Sequence, residues 1–156
     1  KMTNIAQVAN VLQSMVLTRG DKMVLTPTYY VFKMYIPHQG ATPIPLDVTT
    51  VRKDVRNGRS VDMLQATASR KDGKITVSLS NVDLDKEMEV AIALGNESKA
   101  KNISGNILTA GSIDDYNDFD KPEKVTLKPF TGAKAAKGSI KVKLPAKSIV
   151  TLTFEI

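Results

Sequence analysis

Four runs of this chain place an apolar residue at every second position: Ile75, Val77 and Leu79; Met88, Val90, Ile92 and Leu94; Ile140, Val142 and Leu144; and Val150, Leu152 and Phe154. Successive side chains of a strand point to opposite faces, so this alternation predicts half-buried β-strands with one face on a core. Val61, Met63 and Leu64 form a further short run, and Asp72-Gly73 lies just before the first of the four. That pair suits a tight hairpin turn, because glycine accepts positive φ without a Cβ clash. No long helical pattern separates the runs. The expected fold is mainly β, an antiparallel β-sandwich or jelly roll whose apolar alternates form the layer between two sheets.

The chain has a different character before residue 40. Ile5, Val8, Leu12, Met15 and Val16 share one side of a 3.6-residue period and Gly20 follows as a stop signal, which predicts a helical segment over residues 4–17. A second helix is predicted in TPTYYVFKMY, where Thr26 can act as N-cap and Pro27 can occupy the first turn, its missing N–H being unneeded there. Tyr30, Phe32, Met34 and Tyr35 make this segment apolar nearly all round, and such a helix is normally buried between other elements. The fold expected is thus a sandwich preceded by one or two N-terminal helical segments.

At 156 residues the chain is long enough for one ordinary domain, which buries roughly 70% of its unfolded surface. It has no run of about 18 apolar residues that could span a bilayer, and no signal-peptide pattern at its start, so it reads as soluble and mature, with no membrane partner. The absence of cysteine excludes disulfides and thiolate metal sites but leaves the compartment, and hence the localisation, undetermined. A net charge of +6 raises the question of nucleic acid. Only five of the 22 basic residues are Arg, none interleaved with stacking aromatics, and residues 134–147 alternate Lys with apolar residues as a solvated strand face does. Nucleic acid is therefore not an expected partner.

Catalytic chemistry is thinly represented. The single histidine, His38, follows Pro37 with no second His or Cys nearby; one His neither holds a metal nor makes a triad, and it reads as a partly exposed helix-end residue. The stretch SIDDYNDFDKPE collects Asp114, Asp115, Asp118, Asp120 and Glu123, but its spacing does not fit a calcium loop and it reads as a solvated loop. No nucleophile elbow or S-x-x-K accompanies the serines. The residues call for no metal and no cofactor, and not for a self-sufficient enzyme.

Four blocks nevertheless point to a family. NIAQVANVLQSMVLT, KMVLTPTYYVFKMYIPHQGA, ILTAGSIDDYNDFDKPEKVTLKPF and LPAKSIVTLTFEI together resemble the C-terminal portion of an α-L-arabinofuranosidase of glycoside hydrolase family 51. They occur in the family's order and run from end to end, with residues 52–102 less distinctive. The resemblance implies a piece of a larger enzyme, in which residues 1–39 are the end of a catalytic (β/α)8 barrel and residues 40–156 the C-terminal β-sandwich. It implies a parent acting on arabinofuranose-containing polysaccharides or oligosaccharides by double displacement with retention. Two Glu about 5 Å apart then serve as nucleophile and acid/base, and in the family both lie on earlier barrel strands, outside this sequence. This fragment alone is expected to be inactive, its catalytic residues being none.

The resemblance also bears on the amides Asn4, Gln7, Asn10 and Gln13. From pattern alone they form the wet face of an amphipathic helix. In the family, however, the matching stretch lies at the end of the eighth barrel strand, the face on which barrel active sites are built, and a glutamine there contacts the bound sugar. The matching residue is Gln7, with Asn4 the weaker candidate; Asn10 and Gln13 match no functional position. An amide both donates and accepts, as a sugar hydroxyl requires. For the sandwich, the resemblance implies a structural role against its own barrel or within a homo-oligomer. The alternative is an independent carbohydrate-binding module, for which aromatic material is scarce: Tyr116, Phe119, Phe130 and Phe154 are all that lie beyond residue 40.

Overall fold

The computed structural model describes residues 4–95 and 99–156. A hairpin of β1 (Val16–Arg19) and β2 (Lys22–Leu25) leads into α1 (Pro27–Tyr35) and a 3-10 turn at Ile36–His38. Then come β3 (Thr42–Ile44), the hairpin β4 (Arg52–Val55) and β5 (Arg59–Asp62), and the hairpin β6 (Leu64–Lys71) and β7 (Lys74–Asn81). The chain ends with β8 (Met88–Ala93), β9 (Lys101–Thr109), β10 (Lys128–Pro129), β11 (Ala133–Ala136), β12 (Ser139–Leu144) and β13 (Ser148–Glu155).

Two antiparallel sheets face each other. One has the order β10-β9-β13-β7-β6-β3 and the other β11-β12-β8. The alternating runs supply the layer between them: Val77, Leu79, Val150, Leu152 and Phe154 from the larger sheet meet Ile140, Val142 and Leu144 from the smaller, with Met88, Val90 and Ile92 at its margin. Complete burial of one such side chain contributes about 1.5–3 kcal/mol, so this layer drives the fold. Asp72 (φ 48°) and Gly73 (φ 75°) make the two-residue turn between β6 and β7, with positive φ at both positions as a type I′ hairpin requires. The antiparallel sandwich read from the sequence is thus the observed fold.

The outer face of the larger sheet departs from the half-buried expectation. Helix α1 lies across it, and Met34 meets Leu108 and Val125, with Tyr30, Val31, Tyr35 and Ile149 around them. Thr76, Ser78 and Thr151 are buried there too, so β7 is covered on both sides. Their hydroxyls pair across the strands, Ser78 Oγ with Thr151 Oγ1 at 3.0 Å and Thr76 Oγ1 with Thr153 Oγ1 at 3.4 Å. Among the described residues, no buried side-chain polar atom lacks a partner.

Two readings of the N-terminal region need correction. The helix predicted over residues 4–17 does not form: that stretch is irregular up to β1, and Asn10 (φ 57°) and Gln13 (φ 64°) are left-handed. Gly20 serves the β1–β2 hairpin turn instead of ending a helix. The period-3.6 pattern is overridden because Val16, Leu17 and Thr18 find partners in Leu25, Val24 and Met23, and β-branched Val and Thr pack well on a pleated ribbon. The second helix does form with Pro27 in its first turn, but Thr26 makes no side-chain cap; its hydroxyl donates to Ser14 O at 2.7 Å, tying the helix start to the segment just ahead of β1.

Candidate functional site

Asn4 and Gln7 are exposed on the irregular segment before β1. Neither side chain makes a hydrogen bond among the described residues. The segment is held by its backbone: Val8 O accepts from Met15 N–H at 3.0 Å and Val16 N–H at 3.1 Å, and Asn10 N–H donates to Val16 O at 3.0 Å. Asn10 is a structural residue. Its Nδ2 donates to Thr18 Oγ1 and its Oδ1 accepts from Thr18 N–H, both at 2.7 Å, and an asparagine tolerates the left-handed backbone this requires.

Of the five carboxylates in the acidic stretch, Asp114, Asp120 and Glu123 are exposed as a solvated loop requires, while Asp115 and Asp118 are committed locally. Asp115 accepts from Lys124 Nζ at 2.6 Å and from Ser112 N–H at 3.0 Å, and the Lys124 hydrogen bond followed by the Ser112 N–H holds its carboxyl below the usual carboxylate range. Asp118 Oδ1 caps the N–H groups of Asp120 and Lys121. A general acid at neutral pH needs a raised pKa, and the shift at Asp115 runs the other way. Among the described residues no cluster of His, Asp and Glu is arranged to hold a metal ion.

The residue in this loop that sequence reasoning passed over is Asn117. It is buried, its Nδ2 donates to Leu25 O and Val125 O at 2.8 Å each, and its Oδ1 accepts from Val125 N–H at 2.7 Å. It therefore closes the loop on itself and fastens it to the end of β2. Close by, the Arg19 guanidinium lies 4.2 Å from the centre of the Phe119 ring, a cation–π contact. The signal available in the sequence was one neutral amide among five carboxylates.

His38 is partly exposed, but it is more than a helix end. Its Nδ1 lies 2.8 Å from Ser69 Oγ and its Nε2 2.9 Å from Ser78 Oγ, so both ring nitrogens dock the 3-10 turn onto the outer face of the sheet. Burial pushes its pKa below the ordinary value. The triad logic is absent among the described residues, since no carboxylate orients the ring and Ser78 Oγ is engaged with Thr151 Oγ1.

Two recesses open on the surface among the described residues. One, of about 580 Å³, opens between the sheets beside β8 and is lined by residues 45–51 with Leu64, Val77 and Leu79. The other, of about 420 Å³, lies between α1 and β9–β13, with Lys33, Ser104, Asn106 and Thr153 on its walls. Neither is lined by an aromatic side chain on which a sugar could stack.

Comparison with known proteins extends this picture. The family described as "Alpha-L-arabinofuranosidase C-terminal domain" matches residues 1–148. The chain is 58% identical over 156 residues to an intracellular exo-α-L-arabinofuranosidase of Bacteroides ovatus, covering 99% of this chain and 30% of that protein. It superposes on the family 51 arabinofuranosidase of Xanthomonas axonopodis pv. citri with a TM-score of 0.90 at 40% identity, over 99% of this chain and 31% of that one. The arabinose-bound α-L-arabinofuranosidase of Thermotoga maritima shares the fold, with a TM-score of 0.79 at 20% identity over 97% and 33% of the two chains. The chain thus spans about a third of the length of these relatives. In sequence and in fold, from its N-terminal segment to its last strands, the chain belongs to the α-L-arabinofuranosidase C-terminal domain family.

Proposed function

We propose that this chain is the non-catalytic C-terminal part of an enzyme that removes terminal α-L-arabinofuranosyl residues from arabinan- or arabinoxylan-type chains with retention. In this reading residues 1–39 complete a (β/α)8 barrel and residues 40–156 are the sandwich that supports it, alone or within a homo-oligomer. The observation that carries the reading is the uncovered apolar surface before residue 40. Leu12 is 93% exposed, Met23 63%, Val8 59% and Ile36 56%, and soluble proteins rarely leave such surface without a partner. Relatives some three times longer supply a body that could cover it.

The nucleophile and acid/base Glu belong to that missing body, about 5 Å apart as retention requires. Gln7, and less directly Asn4, supply neutral amides to the hydroxyls of the bound arabinofuranose. The glycan-binding alternative has less support: Tyr116 is 64% exposed, while the other aromatic side chains are buried or half-buried. The test is an assay of purified residues 1–156 on an aryl α-L-arabinofuranoside beside the full-length protein. The full-length protein releases aglycone and the fragment matches an empty-vector control; release by the fragment alone overturns the assignment.

A further inference from the structure

Between the sandwich and the segment bearing Gln7 runs a path of hydrogen bonds on either side of the β1–β2 ladder, with Leu25 and Val16 facing each other across it, and Asn117 stands at its root. Its amide holds Leu25 O at 2.8 Å. Leu25 pairs with Val16 across the β1–β2 ladder, and Val16 N–H holds Val8 O at 3.1 Å while Val16 O receives Asn10 N–H at 3.0 Å. Gln7 is the residue before Val8. Thr26 strengthens the same junction, its N–H donating to Met15 O at 3.0 Å and its hydroxyl to Ser14 O at 2.7 Å. The segment 4–13 has no regular structure of its own, so the hairpin sets where it sits.

We infer that Asn117 is a positioning residue for the substrate site: through β2 and β1 it fixes the place of the Gln7 backbone, so the sandwich loop tunes sugar binding in the barrel without touching the sugar. The inference rests on the pocket reading of Gln7 and adds a control point to it. Three features single out this amide. It is 2% exposed, all three of its hydrogen bonds go to backbone groups, and one of them spans 92 residues to reach the other end of the chain. Arg19 on Phe119 is the second strap between the same loop and the same hairpin.

The discriminating variant is Asn117→Asp. It keeps the acceptor for Val125 N–H but sets a carboxylate oxygen against the Leu25 and Val125 carbonyls, so the strap to β2 is released. In the full-length protein the expected result is a KM for aryl arabinofuranoside raised about fivefold, the worth of one hydrogen bond, with kcat nearly unchanged, because a sugar contact present in ground and transition state alike affects binding uniformly. Hydrogen exchange should also quicken at the Asn10, Met15 and Val16 amides. A purely structural role predicts the opposite split, with less active protein, lower apparent kcat and unchanged KM. That outcome, or unchanged exchange over residues 8–18, overturns the inference.

Gln7→Ala is measured in parallel. If it leaves KM unchanged, the pocket reading of Gln7 fails, while the exchange data still report whether Asn117 holds the segment. If it raises KM and Asn117→Asp does not, the positioning inference alone fails. Should Asn117→Asp not fold, Arg19→Leu removes the other strap and carries the same pair of readouts.

Discussion

His38 Nε2 and Ser78 Oγ lie 2.9 Å apart, joining a turn near the start of the chain to the middle of the central strand β7. The site favours the neutral ring. Burial disfavours the cation. The folded pKa lies below the unfolded value of about 6.5, so between the two values the unfolded chain binds more protons. Stability is therefore full above about pH 6.5 and falls as pH drops toward the folded pKa. Urea midpoints at pH 7.5 and pH 5 should show that loss, and His38→Ala should flatten it while costing about 1–2 kcal/mol at pH 7.5 through lost hydrogen bonds.

Asp83 should dominate at lower pH. Its carboxyl is held down to about 2 by the hydrogen bond from Lys53 and then by the N–H groups of Asp85 and Lys86, with Lys53 Nζ at 2.5 Å. A folded pKa below the unfolded one gives stability that is present above about pH 4 and lost as pH falls toward 2. Asp83→Asn keeps an acceptor for the turn but loses the charge, so acid titration followed by circular dichroism should show a shallower decline between pH 4 and 2 in the variant.

Gly105 on β9 leaves no room for a side chain. A Cβ there would meet Leu152 Cδ2 at 2.6 Å and Thr151 O at 3.0 Å, and Leu152 is fully buried in the core. Gly105→Ala should cost about 1–3 kcal/mol by overpacking, read as a lowered urea midpoint. Leu152→Ala, which opens a cavity, should cost about 2–5 kcal/mol.

The uncovered apolar surface should make the isolated chain self-associate. Light scattering of residues 1–156 should give a mass that rises with concentration, and the double variant Leu12→Ser, Met23→Ser should lower it without changing the urea midpoint by more than about 0.5 kcal/mol equivalent. A monodisperse parent chain would remove the support for a covering body.

On soluble arabinan and arabinoxylan the chain should migrate unretarded in affinity electrophoresis. Tyr116 is the one strongly exposed aromatic, and a stacking platform needs more than one ring. Retardation abolished by Tyr116→Ala would move the sandwich into the glycan-binding class.

The inner layer of this protein was legible from residue order. Period-two alternation at 75–79, 140–144 and 150–154, the Asp72-Gly73 turn and Pro27 at the start of α1 each express a backbone preference that acts within a few residues. Local rules of that kind hold wherever the strand ends up. The helix expected over residues 4–17 failed because its competitor, pairing with residues 22–25, was a tertiary choice outside any single-period reading.

Long-range contact decided the rest. Thr76, Ser78 and Thr151 looked like a wet face and are buried, because α1 and its 3-10 turn close over the sheet and the hydroxyls satisfy one another and His38. Asn117, passed over in the sequence, is a clamp because one of its partner carbonyls is 92 residues away. Sequence determines which faces are apolar through spacing along the chain. Which polar groups are buried, and what they hold, depends on chain segments meeting across the fold, where an amide or imidazole must find a partner or bear the full cost of desolvation.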